Sequence, residues 1–346
     1  MGDLMRKLIA NGIWLTVAVS TSMAVADVGS EARVADPALR HQGPTVLTPR
    51  GSLVFEPGLQ FTHSSGTDVA IEGYTVVPAV LVGLINVSES QRDTLTASAT
   101  LRYGLFHRLE VEARVPYVYK KEAVRERDIF DGSSNDIVRD SSGQGVGDVE
   151  FALRYQLNSP QSGGAFYLAN LRVKTRTGTD PFEVDRIRLY ADTGDGDRVF
   201  VGEVYEEQPT GSGFRSFQPS LSFVYPTEPA VMFGSVSYLW NVERDVSGHG
   251  RIDPGDALGF NYGMGFGINA QTSFNLGYDH SIVFKTRRDD DAGLDAVFDR
   301  FHVGSLLFGL SHRLSPRTRL NVSLALGVTE NAPDVQVGLR LPVTLW

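Results

Sequence analysis

The sequence predicts an all-β protein, a transmembrane antiparallel up-and-down β-barrel with twelve strands, and three observations predict it. Apolar and polar side chains alternate with a period of two over segments of ten or more residues. Such segments can cross a bilayer at a ~45° tilt, whereas strands of soluble sheets usually run ~5–6 residues. The connections between segments alternate short and long along the chain, as in barrels with tight turns at one end and long loops at the other. The chain also opens with an export signal. Composition narrows the field by exclusion. With 346 residues and no cysteine, the protein is not a disulfide scaffold or a zinc–cysteine or iron–sulfur protein. Its 32 Lys+Arg against 41 Asp+Glu give a formal charge of −9, which lacks the basic footprint of a nucleic-acid binder. No run approaches the ~20 apolar residues of a membrane-spanning helix.

The elements follow in chain order. Arg6 and Lys7 precede an apolar stretch over residues 8–19, and Ala24-Val25-Ala26 follows as a small-residue cleavage site. That order is a secretory signal peptide over residues 1–26, with Asp27 as the mature start. Removing Asp3, Arg6 and Lys7 takes the charge from −9 to −10. Residues 27–50 form a periplasmic segment or a lumen plug; Pro37, Pro44 and Pro49 confine any helix to the part before Ala35. The barrel occupies residues 51–346, with strands over 52–64, 92–104, 108–121, 147–157, 164–177 and 214–225 in its first half. The second half reads as strands over 231–244, 256–269, 273–285, 300–314, 319–329 and 335–346. In the third strand Leu109, Val111, Ala113, Val115, Tyr117 and Tyr119 oppose Arg108, Glu110, Glu112, Arg114 and Lys120. In the eighth, Leu258, Phe260, Tyr262, Met264, Phe266 and Ile268 alternate with glycine and asparagine. Single-chain barrels normally have an even number of strands, which places both mature termini on the periplasmic side. Residues 65–91 are then the first outer excursion. If residues 76–85 formed a further membrane hairpin the count would be fourteen, but Pro78 disfavours a fully paired strand there.

Charge is divided along the same lines. The long connections over residues 123–146, 178–213, 243–256 and 285–300 carry −2, −6, −2 and −1, together −11 against −10 for the mature chain. The strands and turns are therefore nearly neutral and the excess lies in the outer loops. Acidic loops suit contact with outer-membrane lipid and lipopolysaccharide, whose phosphates are bridged by divalent cations. They are equally loops kept soluble by charge. On the polar side of the strands lie Arg102, Glu110, Glu112, Arg114, Asp148, Glu150, Arg154, Arg172, Lys174, Arg176 and Arg340. A dry core does not tolerate so many charges, whereas a watery lumen does. These ladders either pair into a rigid wall or set up a transverse field. The later strands offer Gly263, Gly265, Gly267, Asn275, Gly277, Asn321, Ser323 and Gly327, an expected small and uncharged wall.

No enzyme constellation is present in the pattern. Asp279-His280-Ser281 are strand neighbours that point to alternate faces, and Gly211-Ser212-Gly213 lacks the spacing and helix of a nucleophile elbow. Gly143-Gln144-Gly145-Val146-Gly147-Asp148 opens a strand rather than a helix, so it offers no anion site and reads as a flexible lead into that strand. No cofactor is expected. The one metal-like pattern is Asp192, Asp195 and Asp197 around two glycines, which resembles part of a calcium loop in an outer excursion.

The run from Arg102-Tyr103-Gly104-Leu105 through Arg108-Leu109-Glu110-Val111-Glu112-Ala113-Arg114-Val115-Pro116-Tyr117, with Gly145-Val146-Gly147-Asp148-Val149-Glu150-Phe151-Ala152-Leu153-Arg154-Tyr155-Gln156-Leu157, is distinctive. It resembles the outer-membrane transporter family labelled putative meta-pathway of phenol degradation, and the barrel domain of the Fap functional-amyloid secretion channel. The resemblance covers most of the mature chain and implies a channel without naming its solute. The Fap channel carries a coiled-coil trimerisation domain before its barrel; residues 27–50 contain no heptads. Trp346 is the terminal aromatic that the barrel-assembly machinery expects, while Arg340 and Pro342 stand on the same face in places usually apolar. Two functions follow: a channel for small, aromatic or hydrophobic solutes, or a pore or surface barrel serving secretion or adhesion.

Overall fold

A computed structural model describes residues 46–74, 82–127, 136–160, 164–192, 198–247, 250–289, 295–298 and 300–346. The expected signal peptide, and most of the segment over 27–50, lie outside these residues. The first half of the barrel contains β1 (Leu53–Tyr74), β2 (Val82–Phe106), β3 (Leu109–Arg127), β4 (Asp136–Val146), β5 (Glu150–Gln156), β6 (Phe166–Lys174) and β9 (Ser216–Pro226). Between β6 and β9 lies a loop hairpin, β7 (Arg186–Asp192) and β8 (Arg198–Tyr205). The second half contains β10 (Ala230–Asn241), β13 (Ala257–Gly267), β14 (Thr272–Val283), β17 (Phe301–Ser315), β18 (Thr318–Gly327), β19 (Val335–Arg340) and β20 (Val343–Thr344). Its loops hold β11 (Arg244–Val246), β12 (Gly250–Asp253), β15 (Thr286–Asp289) and β16 (Asp295–Phe298).

Hydrogen bonding runs β1–β2–β3–β5–β6–β9–β10–β13–β14–β17–β18–β19 and closes from β19 onto β1, giving an antiparallel barrel with twelve strand positions. β4 prolongs the fourth position beyond β5, and β20 prolongs the twelfth. Closure leaves the barrel ring without a free edge, as a bilayer demands where no water can pair the ladder groups. The chain ends meet across this closure, where Leu53 N–H donates to the Trp346 carbonyl at 3.1 Å.

Several expected boundaries move. The first hairpin is continuous out to Tyr74 and Val82, so residues 65–91 are mostly paired strand and the count is twelve, not fourteen. The connection over 123–146 is likewise mostly strand, since β3 and β4 pair from Tyr117–Val146 to Arg127–Asp136. The fourth strand does not begin cleanly at 147 but breaks there. Arg114 faces Glu150 while Tyr117 faces Val146, so one extra residue bulges out around Gly147-Asp148-Val149. The remaining long loops are not irregular: β7 pairs β8, and β11, β12, β15 and β16 form a separate four-stranded sheet.

The fold is inside-out. In β5 the buried residues are Glu150, Ala152, Arg154 and Gln156, while Phe151, Leu153 and Tyr155 are exposed. Arg102 is 2% exposed and Gln156 0%, against 50% for Tyr117 and 59% for Tyr262. A soluble protein rarely exposes such a continuous apolar surface, whereas a lipid-facing belt is made of it. Tyr103 faces Val111, and Leu95 faces Tyr119 eight residues up the same strand, roughly 26 Å along it and about 20 Å vertically at the usual tilt. Tyr103, Phe106, Tyr155 and Tyr225 gird the short-turn end; Tyr117, Tyr119, Tyr238 and Trp240 gird the other. Above the barrel Phe214, Val246 and Ile252 pack with Phe182 as a small loop core. Arg244 sits 5.2 and 5.4 Å from the Phe182 and Phe214 rings and pairs with Asp180.

Candidate functional site

The inward faces of β1, β2, β3, β5 and β6 form a wall of buried charges, and adjacent strands supply opposite signs. Arg154 on β5 donates to Glu110 at 2.7 Å and to Glu112 at 2.9 Å, both on β3. Glu150 lies 3.7 Å from Arg114 and 3.9 Å from Arg172, so it stands between two guanidiniums. Lys174 is 4.0 Å from Asp148. Glu56 on β1 pairs with Arg102 on β2 and, across the closure, with Arg340 on β19. The charges thus form a cross-linked rigid wall. Isolated buried charges are costly, and mutual pairing is what makes this surface tolerable. Arg176 does not belong to the wall. β6 ends at Lys174, opposite the start of its partner strand β5 at Glu150, and Arg176 is exposed beyond it. Lys120 and Gln156, read on the polar faces of their strands, share the buried inward positions, and the same parity would have added Glu56 and Glu122. Asp192 is the end of β7, and Asp195 and Asp197 lie outside the described residues.

Both ends of this wall are covered. At the short-turn end Val46 and Leu47 enter the barrel and pack with Phe166, Leu168, Val224 and Phe233. Their backbone is tied to the charged wall: Val46 N–H donates to Gln156 Oε1 at 3.3 Å and Thr48 N–H to Glu110 Oε2 at 2.7 Å. Gly104 has no room for a Cβ because the Thr48 and Pro49 carbonyls lie against it. At the loop end, the chain before β9 folds down against β4. Gln208 donates to Glu122 Oε2 at 2.7 Å and Ser141 Oγ at 2.8 Å, and Thr210 Oγ1 donates to the Val146 carbonyl at 3.0 Å.

This docking explains the glycine run before Asp148, which is an ordered berth rather than a flexible lead. A side chain at Gly143 would strike the Gln208 backbone, and one at Gly147 would crowd Val118 and Pro116. Asp148 then pins the loop by accepting from Gly178 N–H at 3.1 Å, Ser212 N–H at 2.8 Å and Ser212 Oγ at 2.7 Å. Higher in the loop Arg186 stacks over the Tyr205 ring, 4.9 Å from its centroid. Burial raises the Tyr205 hydroxyl above its ordinary pKa despite that cation.

The opposite wall, from β9 to β14, is polar and small. Gly263 leaves space for the Phe233 ring, which would lie 2.5 Å from an added Cβ. Around it a cavity of about 100 Å³ is lined by Arg154, Arg172, Asn170, Ser235, Asn261 and Asp279 among others. Register places Ser222, Ser235, Asn261 and Asp279 in one row across adjacent strands, and the Asn170–Ser220 pair continues it one inward position along β9. Asp279 corrects the expectation of an uncharged wall. His280, next to it, faces outward, stacked on Phe260 with ring centroids 5.1 Å apart. Asp279, His280 and Ser281 therefore do not converge, as alternation on a strand dictates.

Residues 187–345 match the family described as putative MetA-pathway of phenol degradation. The chain is similar to the crystal structure of an outer-membrane channel from Pseudomonas putida F1, at 17% identity and TM-score 0.55, covering 86% of this chain and 97% of that one. Looser likenesses include the CymD monoaromatic hydrocarbon channel, at 12% identity and TM-score 0.44, covering 85% and 88% of the two chains. The toluene transporter TbuX of Ralstonia pickettii stands at 11% identity and TM-score 0.41, covering 89% and 93%. The shared fold rests on the first of these structures. The chain thus shares the β-barrel fold of that outer-membrane channel, and its residues 187–345 match the model of the family described as putative MetA-pathway of phenol degradation.

Proposed function

We propose that the protein is a non-enzymatic outer-membrane channel that passes small solutes, aromatic or hydrophobic ones among them, through a charged lumen. The observation that carries this reading is the inside-out barrel itself: a cross-linked charged wall facing a polar cavity, with apolar side chains turned to lipid. The family match supports aromatic solutes, since that family is described by phenol degradation. In this reading residues 1–26 are removed on export. Residues 27–50 plug the lumen, both mature termini lie in the periplasm, and the acidic loops meet lipopolysaccharide.

The C-terminal strand presents Val337, Leu339 and Leu345 outward, which supports recognition by the barrel-assembly machinery. Planar-bilayer conductance of the refolded mature chain, with and without residues 27–50, tests the channel. Small discrete currents are expected from the intact chain and larger ones after the deletion. Silence in both forms sinks the proposal.

A further inference from the structure

Among the described inward residues of β9, β10, β13 and β14, Asp279 carries the one charge. It lines the lumen cavity, and among the described residues its Oδ2 has no hydrogen-bond partner. The residues that could have satisfied it are turned elsewhere. Asn261, its register neighbour on β13, donates from Nδ2 to Ser235 Oγ at 2.8 Å, away from the carboxylate. The guanidiniums on the far side of the same cavity are held by acids of their own wall, Arg154 by Glu110 and Glu112, and Arg172 by Glu150. At the other end of the polar row, Asn170 spends Nδ2 on Ser220 and Ser222 at 3.2 Å each, and its Oδ1 is also without a partner. The cavity therefore displays acceptor oxygens at both ends of the row.

An ionised carboxylate removed from bulk water requires a counter-charge or donors. Ser305 faces Asp279 from β17, yet no donor or cation among the described residues bonds its Oδ2, while hydroxyl and amide oxygens nearby are the hard ligands that small cations take. We propose that Asp279 is a cation-binding residue of the lumen, and that a small monovalent cation, alkali or primary ammonium, completes it from solution. This deepens the channel reading by naming a class of permeant that the aromatic assignment does not contain. It would make the pore prefer cations although the opposite wall is rich in arginine.

Reversal potentials of the mature full chain under a KCl gradient test the selectivity, alongside Asp279→Asn and Asp279→Glu. The wild type and D279E should favour K⁺ over Cl⁻, and D279N should lose about tenfold of that permeability ratio, the scale of one poorly screened charge. Replacing KCl with methylammonium chloride separates the two sources, since a site for ammonium keeps the preference and a site for alkali ions alone loses it. Unchanged selectivity in D279N overturns the proposal, provided its heat-modifiability on gels shows a closed barrel. Crystals soaked in thallium(I) acetate give a reading independent of current: an anomalous peak at Asp279 is expected in the wild type and none in D279N. A silent wild-type channel with that peak present would defeat the conduction reading and leave the cation site standing. Absence of the peak would defeat the site.

Discussion

Arg154 is the residue on which the charged wall turns, because it is 6% exposed and bonds two carboxylates at once. Removing a buried partner strands the charge it neutralised, typically at about 3–5 kcal/mol. Arg154→Met should therefore lower barrel stability by about that amount in urea titrations monitored by tryptophan fluorescence. The triple change Glu110→Gln, Glu112→Gln and Arg154→Met should recover much of it, since no net charge is then left unpaired. Full loss in the triple variant would show that packing, not pairing, holds this wall. Gly263 makes a complementary case. A side chain there meets the Phe233 ring and the Leu276 carbonyl, each at 2.5 Å. Gly263→Val should cost about 1–3 kcal/mol by overpacking, read in the same titration.

At the scale of elements, the fourth strand and the loop before β9 act as a pair. Glycines at 143 and 147 let the loop backbone lie on the strand, and Asp148 fastens it through three hydrogen bonds. Gly143→Val should displace the loop from its berth while leaving the strand ladders intact. The expected readout is a larger and noisier single-channel current with unchanged heat-modifiability. An unaltered current would mean that the loop does not restrict the lumen. The glycine spacing was visible in the sequence, but its purpose was not. Gly143 and Gln208 are distant in sequence, and alternation reports only which face a residue occupies.

For the whole molecule, closure of the barrel and closure of the lumen are separate matters. The first comes from β1 meeting β19; in the proposed reading the second falls to Val46 and Leu47, packed inside one end, and to residues 208–212, bonded to the wall at the other. Leu47→Asp places a charge among Phe166, Leu168 and Val224 and should drive the segment out. Conductance should then approach that of the chain lacking residues 27–50, with barrel stability little changed. If the current stays at the wild-type level, the floor is held by something other than this apolar contact.

Alternation by two, strand length and the short–long order of connections already specified a twelve-strand barrel with charges inside and apolar residues outside. Those properties are local: each residue's face follows from its neighbours and the pleat. Tertiary structure alone decided the remainder. It ended β6 before Arg176 because the partner strand stops, carried the outer hairpins well past their expected ends, and turned opposite ladders into pairs. It also left Asp279 Oδ2 without a hydrogen-bond partner among the described residues, in a wall expected to be neutral. Pairing and vacancy depend on which strands become neighbours around a closed sheet, and no period along the chain encodes that.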